Sequence, residues 1–397
     1  MKILFLIEGI PYPPFFGHKS VAYNLLRQLA KEGHRVTLIS VTTEINEEYQ
    51  SELRKIGIEV IPILYTAKRS LHGYLLSLPR KHNYGILPFT RPSLSRAVES
   101  IVTDVMPDVI QAEFFQMACL AANLQFPSVM AFLDSYYFYE KALAKEYKFS
   151  IRRLHFELRS MKAQYYERKY YPAFDHCVAI TPFDADALRA VGVSTDVTVI
   201  TSGVDTSYFR PVAKNNETTS LVFLGNMSFI VNELAASRFC RNIFPIILKA
   251  LPGIVFQIVG HNPTRLVNDL SSPNVVVTGS VPDVRPYLSR EAILVAPFAY
   301  PGGLKHKVLE AMAMGMAVVG TSAAFSGIEV KDGEHAFVAD EPRHFAERVI
   351  ELAGDPLLKR TLGSNARDLV SSNYTWDRVA KEYEKVYETV INRRDLK

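Results

Sequence analysis

Cysteine is scarce in this chain, and its few thiols form no recognisable pattern. Three occur in 397 residues, far apart at Cys119, Cys177 and Cys240, without a CxxC pair or a zinc-ligand spacing. Isolated thiols of this kind are typical of small buried side chains in a reduced, cytosolic protein and argue against a disulfide framework. The sequence predicts no metal site.

Long apolar runs and a strong charge imbalance are also lacking. No run approaches the roughly 18 apolar residues that a membrane-spanning helix needs. The short apolar run at the N-terminus ends in prolines, which favours a first β-strand over a signal peptide. A net charge of +4 argues against a general nucleic-acid binder, and 48% apolar residues indicate a globular chain long enough for two domains.

Two stretches are nevertheless locally basic and rich in aromatic residues. Residues 64–93 contain five Lys or Arg and no acid, and residues 141–170 contain nine Lys or Arg against three Glu. Cations interleaved with aromatic and apolar side chains suit an anionic membrane surface or a polyanionic acceptor. The alternative is a solvated helix face above core aromatics. Single-stranded nucleic acid would use the same composition, but no RNA-binding motif accompanies it.

The first half alternates buried strand patterns with amphipathic helix patterns. Residues 3–7 read as a strand, 20–31 as a helix and 35–41 as the next strand, which is a Rossmann-type opening. Gly17 lies at the loop-to-helix junction, where the backbone could approach a phosphate. No GxGxxG fingerprint is present, and an ordinary turn glycine is the alternative.

Two acidic residues follow strands of this half. Glu113 comes after the strand predicted at 108–111, and Asp134 comes after the strand predicted at 128–133. Polar residues at these ends face the ligand crevice of an open α/β sheet. The alternatives are a structural role for Glu113 and a helix N-cap at Asp134 or Ser135.

The second half begins after a polar segment at 211–220 that reads as an interdomain linker. Its strand patterns at 221–224, 254–259 and 275–278 each end at or near a glycine. Their tips are expected to line one edge of a second sheet.

Residues 297–321 hold the most informative local pattern. The turn Gly302-Gly303 leads into a helix predicted from Leu304, with Lys305 and Lys307 in its first turn and Glu310 one turn further. Cations at a helix N-terminus oppose the macrodipole, and a bound anion would remove that conflict. A surface helix with solvated Lys and Glu is the alternative.

Several motifs, in order along the chain, carry a family resemblance. They are MKILFLIEGIPYPPFFG with LAKEGHRVTLIS, SGVDTSYFRP, GNMSFIVNELA, GSVPDVRPYL, APFAYPGGLKHKVLEAMAMGMAVVGT and FSGIEVKDGEHAFVAD. Together they resemble the GT-B glycosyltransferases of the large retaining family (family 4-like, group 1), over essentially the whole length. The resemblance implies an α/β fold of two Rossmann-like domains facing each other across a cleft. It places an acceptor domain at 1–210, a nucleotide-sugar domain at 218–375 and a helix at 376–397 that crosses back.

The resemblance also implies roles for individual residues. Glu310 matches the second acid of the family's Glu-x7-Glu motif and would hold the ribose hydroxyls. Lys305 and the preceding turn would meet the diphosphate, Gly279 to Val284 would lie beside the base, and Gly17 would meet the diphosphate from the other domain. The expected donor-binding residues are Gly17, Gly225, Asn226, Asn232, Gly279, Val281, Gly302, Gly303, Leu304, Lys305, Lys307 and Glu310. The expected catalytic residues are Lys305, Glu113 and Asp134.

Three positions depart from the family pattern. The first acid of the motif falls on Gly302. The Arg…Lys pair that usually follows the strand at 221–224 is replaced by Gly225-Asn226-Met227, with Asn232 further on. The usual histidine past the strand at 108–111 is not evident, and Glu113 stands near its place.

The expected function is transfer of a sugar from a nucleotide diphosphate sugar, with a UDP-sugar as the expected co-substrate, no other cofactor and no metal. The acceptor would be a glycan, a lipid-linked glycan or a small molecule. A peripheral contact with an anionic membrane is one interpretation of the basic stretches, which would put the protein in the cytoplasm at the inner face of a membrane. The alternatives are a non-catalytic nucleotide-sugar-binding or assembly protein at a membrane, and a GT-B epimerase or phosphorylase.

Overall fold

The computed structural model describes residues 1–14, 17–66, 70–148, 150–211 and 219–395. These residues pack into two units. Unit 1 comprises Met1–Thr201 and the chain from Trp376 onward, and unit 2 comprises Ser202–Thr375. The predicted linker at 211–220 falls largely on residues 212–218, outside the described part. The predicted domain boundaries therefore stay predictions.

In unit 1, apolar runs of the first half pair into one parallel sheet. Its described strands lie in the order β3-β2-β1-β4-β5-β6-β7. Ile3 to Ile7 of β1 are buried on both faces, as expected where helices cover both sides of a parallel sheet. The strands are β1 (Lys2–Glu8), β2 (Arg35–Thr42), β3 (Ile58–Leu64), β4 (Val109–Glu113), β5 (Ser128–Phe132), β6 (His176–Ala179) and β7 (Val197–Val199).

Several helices of unit 1 begin at a residue whose side chain caps the first turn. Ser135, Ser150 and Thr181 each accept a hydrogen bond from a backbone N–H of the first turn that follows. The helices are α1 (Gly17–Lys31), α2 (Glu47–Lys55), α3 (Leu71–Ser77), α4 (Pro92–Val105), α5 (Phe115–Ala121), α6 (Tyr136–Glu146), α7 (Ile151–Tyr170) and α8 (Pro182–Val191).

Unit 2 repeats the parallel architecture. Its described strands lie in the order β10-β9-β8-β11-β12-β13. The strands are β8 (Ser220–Leu224), β9 (Val255–Val259), β10 (Val275–Gly279), β11 (Ile293–Ala296), β12 (Ala317–Gly320) and β13 (Phe337–Val338). The helices are α9 (Ile230–Arg238), α10 (Phe244–Ala250), α11 (Arg265–Asn268), α12 (His306–Ala313), α13 (Pro342–Gly354) and α14 (Pro356–Asn373). Two parallel sheets with helices confirm the predicted α/β class.

The last helix, α15 (Trp376–Asp395), packs in unit 1. Its buried face, including Val379, Tyr383 and Tyr387, joins the core formed with α1 and β1. Arg394 Nε also lies 3.0 Å from Asp175 Oδ2. In the described part of the chain, no helix is both long and apolar enough to cross a bilayer.

The strand order reverses between β1 and β4 in unit 1 and between β8 and β11 in unit 2. Loops leaving the carboxyl ends of such neighbours diverge to opposite faces, and ligands of open α/β sheets bind in the crevice left there. Each unit therefore has one topological switch point at which to look for a site.

Three of the boundary differences from the sequence expectation concern candidate site residues. The first helix begins at Gly17 rather than at residue 20, and β4 extends to Glu113, so this carboxylate belongs to the strand itself. The helix predicted from Leu304 begins at His306. Lys305 has non-helical backbone angles (φ −87°, ψ 79°) and precedes the helix as its N-cap, because the turn before it has not yet closed.

Gly363 gives a test of the packing in unit 2. A methyl group added at this position in α14 would lie 2.1 Å from Gly315 O, in the turn between α12 and β12, whereas one added at Gly354 would meet nothing within 4 Å. Because backbone cannot move aside cheaply, we expect Gly363→Ala to lower the free energy of unfolding in urea by about 1–3 kcal/mol. Gly354→Ala is the control. Equal stability of the two variants would contradict the close packing of α14.

Candidate active site

The switch point of unit 2 brings two loops together. The loop after β8 begins at Gly225, whose N–H donates to Val259 O (3.0 Å), and the Met227 N–H donates to His261 O (2.8 Å). The loop after β11 spans residues 297–305 and leads into α12. We call this place the β8/β11 site and define it by Gly225, Asn226, Asn232, Gly302, Gly303, Lys305, Lys307 and Glu310.

Lys305 holds the turn before α12. Its buried ammonium group donates hydrogen bonds to Gly302 O (2.6 Å) and Gly303 O (2.9 Å) and lies 5.6 Å from the centroid of the Phe298 ring. These bonds turn the carbonyl groups of the loop toward the lysine. A role of Lys305 at a diphosphate stays a prediction, and its visible role is to shape the loop.

Lys307 reaches across to the loop after β8. Its Nζ donates to Asn232 Oδ1 (2.6 Å), and Asn232 Nδ2 donates to Asn226 O (2.8 Å). The ammonium group also lies 5.1 Å from the Phe223 ring centroid and 5.0 Å from that of Phe298, within cation–π range. A cation from α12 is thus fixed beside the exit of β8.

Gly225 provides the space for this contact. A methyl group added there would lie 2.7 Å from Lys307 Nζ and 2.8 Å from Asn232 Nδ2. Any larger residue would displace the ammonium group from its position. A side chain at position 225 would therefore require the ends of the Lys307 and Asn232 side chains to move.

The charges of α12 are strongly perturbed. Burial lowers the pKa of Lys307 to about 7, with Glu310 opposing the shift, and raises the pKa of Glu310 to about 7, with Lys307 opposing it. Burial, followed by the charges of Lys307 and Lys305, lowers the pKa of His306 to about 4. Perturbed groups gathered at one crevice are typical of a functional site.

The turn at Gly302-Gly303 is packed tightly. A methyl group at Gly302 would come 2.3 Å from the Tyr300 hydroxyl oxygen, so the ring of Tyr300 occupies the space that a side chain would need. Gly303 has φ of 65°, a conformation that favours glycine. The buried Leu304 follows. A side chain at position 302 would therefore require the Tyr300 ring to move.

The loops after β9 and β10 border the same edge of the sheet. Gly260 N–H donates to Gly279 O (3.2 Å), and His261 Nδ1 lies 2.9 Å from Ser280 Oγ. Val281 follows and is partly exposed. The structure thus puts Gly279 and Val281 on the edge that holds the β8/β11 site.

In unit 1, Glu113 lies at the switch point but is buried. Its Oε1 accepts a hydrogen bond from Gln111 Nε2, and Gln111 Oε1 accepts one from the Tyr387 hydroxyl of α15. Burial raises the pKa of Glu113 to about 7, although the Gln111 bond opposes the shift. Gln111 therefore links β4 to α15 and also bonds to the Glu113 carboxylate, whose catalytic role stays a prediction.

A histidine that the sequence alone did not single out lies beside this strand end. The His18 ring packs edge-on against Phe114, with centroids 5.1 Å apart, and burial lowers the His18 pKa to about 4. Gly17 before it is exposed, and a methyl group there would meet nothing within 4 Å. The fold itself therefore places no steric demand for glycine at this position.

Asp134 precedes the N-cap of α6. The capping residue is Ser135, whose Oγ accepts from Phe138 N (3.5 Å), so the cap expected at Asp134 or Ser135 belongs to Ser135. Burial raises the pKa of Tyr139, and the Asp134 charge adds to that rise. Its role toward an acceptor stays a prediction. Among residues 1–14, 17–66, 70–148, 150–211 and 219–395, no cluster of three His, Cys, Asp or Glu is placed to hold a metal ion.

Solved structures of similar architecture define the class of protein. A structure of Anabaena Alr3699/HepE in complex with UDP and glucose matches with a TM-score of 0.68 and 15% identity, covering 98% of this chain and 99% of that one. This likeness establishes the GT-B fold, with its two Rossmann-like domains, as the resemblance implied.

Two family models then identify the activity. The model described as Glycosyltransferase Family 4 matches residues 17–208, and that described as Glycosyl transferases group 1 matches residues 218–355. The chain is a glycosyltransferase, with a family 4 domain followed by a group 1 domain.

Curated relatives extend this similarity. An uncharacterised 44.6 kDa protein of the cps region of Klebsiella pneumoniae is 21% identical over 94% of this chain and 96% of its own length. The capsular polysaccharide biosynthesis glycosyltransferase CapM of Staphylococcus aureus is 26% identical over 44% of this chain and 48% of its own length.

Aromatic residues at the β8/β11 site were missed from the sequence. Phe223 lies in β8 and Phe298 follows β11, and both face the Lys307 ammonium group. Their sequence positions look like core positions, since each lies in or next to an apolar strand. The only available signal was that both stand within two residues of a predicted strand end.

The shifted pKa of Lys307 predicts a pH-dependent stability. Between about pH 7 and the ordinary lysine value of 10.5, the unfolded chain holds a proton on Lys307 that the folded protein does not. The free energy of unfolding of the wild type should therefore rise with pH in this range, relative to Lys307→Met, by at most about 1.4 kcal/mol per pH unit. In Lys307→Met the pKa of Glu310 is higher still, because the opposing charge is gone. This makes the stability of the variant fall with pH, so its difference from the wild type grows further. Urea unfolding at pH 7 and pH 9 measures the difference in free energy of unfolding between the wild type and Lys307→Met. The same difference at both pH values would contradict burial of the ammonium group.

Proposed function

We propose that this glycosyltransferase transfers a sugar from a UDP-sugar to a glycan or lipid-linked glycan acceptor, with retention of configuration. The observation that carries the proposal is the Lys307 ammonium group fixed beside the exit of β8 by Asn232. The UDP and glucose bound by Alr3699/HepE support the choice of donor. CapM supports an acceptor in polysaccharide biosynthesis.

Lys307 is proposed to compensate for a departure from the family pattern. The loop after β8 lacks the Arg…Lys pair that would normally stand there, and Gly225 and Asn226 replace it. Lys307 comes from α12 but brings its ammonium group to the same loop. A positive charge would then still stand at the diphosphate, supplied by α12 instead of by the loop after β8.

The leaving group in this reaction is a nucleoside diphosphate, so stabilising its charge is the main catalytic task. The start of α12 offers backbone N–H groups and a positive dipole end, with no acidic residue in the first turn. A bound diphosphate would also favour the charged form of Lys307, whose pKa burial lowers to about 7. We assign charge stabilisation to Lys307 and the helix start, with Lys305 holding the loop and adding its charge.

The nucleoside would occupy the rest of the crevice. Glu310 lies one turn along α12 from Lys307, and a ribose would supply hydroxyl donors to its poorly solvated carboxylate. Gly279 and Val281 would lie beside the base. Gly302 leaves no carboxylate to contact the donor sugar, because the Tyr300 ring takes that space.

The acceptor is assigned to unit 1, where Glu113, His18 and Asp134 lie near the carboxyl ends of strands. Because two stretches of the first half combine basic with aromatic residues, we also propose that the protein works peripherally at the inner face of a membrane. The alternative is a protein that binds nucleotide sugars without catalysis. Donor hydrolysis distinguishes this alternative from a glycosyltransferase.

Donor hydrolysis tests the proposal without knowledge of the acceptor. The wild type should release UDP from at least one UDP-sugar. Gly225→Ala should slow this by about tenfold or more, because the added methyl group displaces the Lys307 ammonium group. Gly253→Ala, where a methyl group meets nothing within 4 Å, is the control and should retain the wild-type rate.

Two results would overturn the proposal. Tight binding of UDP-sugars without any release of UDP, even with polysaccharide or membrane extracts added, would favour the non-catalytic reading. Equal rates of UDP release for Lys307→Met and the wild type would remove Lys307 from the diphosphate.

A further inference from the structure

Helix α7 exposes an apolar stripe. Ile151 is 88% exposed, Leu154 70% and Met161 58%. Their spacing of three and seven residues places all three on one face of the helix. Isolated exposed apolar residues are normal on protein surfaces, but an aligned set on one helix face indicates an interaction surface.

Helix α3 lies beside this stripe and adds to it. Tyr74 OH lies 2.6 Å from His155 Nδ1, and Lys162 Nζ donates to Ser77 O (3.0 Å), so the two helices pack together. Leucines on and just after α3 are exposed as well. We name the combined patch the α3/α7 surface and define it by Leu75, Leu76, Leu78, Ile151, Leu154 and Met161.

Cations flank the α3/α7 surface. Arg80 and Lys81 follow α3, Lys148 precedes α7, and Arg152 stands in its first turn; all four are exposed. Residues 70–93 contain no acid. On α7, Glu157 is drawn toward Arg153, with 3.7 Å between Oε1 and Nε. The surface therefore combines apolar side chains with an excess of positive charge.

We propose that the α3/α7 surface docks on an anionic lipid bilayer. Its leucine, isoleucine and methionine side chains would enter the acyl boundary, and the flanking Lys and Arg would meet the phosphate groups. A second copy of this chain would bring like charges together, which opposes association. A polyanionic glycan would use the cations but leave the apolar stripe uncovered.

This proposal deepens the proposed peripheral location and does not depend on the transfer reaction. All six residues lie in unit 1, on or just after helices α3 and α7. Docking through this surface would keep the protein at the membrane where a lipid-linked acceptor is presented.

Vesicle flotation without donor or acceptor tests the docking. The wild type should bind vesicles of phosphatidylcholine with phosphatidylglycerol and bind pure phosphatidylcholine vesicles at least about tenfold less. The double variant Ile151→Ser/Leu154→Ser should lose at least about tenfold in binding to the anionic vesicles. Leu266→Ser/Leu357→Ser, which changes two exposed leucines of unit 2, is the matched control and should bind like the wild type.

A second arm separates lipid docking from other outcomes. Arg80→Ala/Lys81→Ala should weaken binding to anionic vesicles by about tenfold. The Ile151→Ser/Leu154→Ser variant should retain donor hydrolysis, so that loss of docking and loss of catalysis are distinguishable. Unchanged flotation of that variant would overturn the proposal, as would a wild-type dimer in sedimentation that the same variant dissociates. Failure of donor hydrolysis with normal flotation would count against the proposed function alone.

Discussion

The ammonium group of Lys307 lies beside the exit of β8, partly shielded from water, and the surrounding loops accommodate it. Asn232 accepts its hydrogen bond, and Phe223 and Phe298 present their rings to it. Gly225 leaves room for it at the strand end. The neutral Asn232 amide and the nearby Glu310 carboxylate do not offset the cost of partly removing the Lys307 cation from water. The pKa of Lys307 is therefore lowered. An anionic ligand would supply the missing charge.

This arrangement follows from the topology of unit 2. The reversal of strand order between β8 and β11 separates the loops that leave them and opens a crevice between them. α12 starts on one side of that crevice and Asn232 stands on the other. The hydrogen bond from Lys307 to Asn232 joins the two elements. Lys305 plays a complementary part, because its bonds to Gly302 O and Gly303 O fix the loop that precedes the helix.

Much of the architecture could be predicted from the sequence because buried parallel strands have a simple signature. Continuous apolar runs such as Ile3 to Ile7 are needed wherever helices cover both faces of a sheet. The helix start at Lys305 and Lys307 was also visible, since cations there break a local electrostatic rule. The family motifs then supplied the activity that the family models confirm.

What could not be predicted depended on contacts between distant segments. Lys307 and Asn232 are 75 positions apart, and nothing local to either indicates that they form a hydrogen bond. Glu113 was expected past the end of its strand, facing a ligand. Its buried place in a hydrogen-bonded chain with Gln111 and with Tyr387 of the last helix could not be seen from the local sequence. Tyr300 likewise explains Gly302 only once the turn is folded.

Comparison of UDP with uridine isolates the proposed contact between Lys307 and the diphosphate of the donor nucleotide. Calorimetric titration of the wild type should show UDP binding far more tightly than uridine, and Lys307→Met should reduce this ratio by at least about tenfold while leaving uridine affinity nearly unchanged. A ratio that is the same in the wild type and in Lys307→Met would contradict the account.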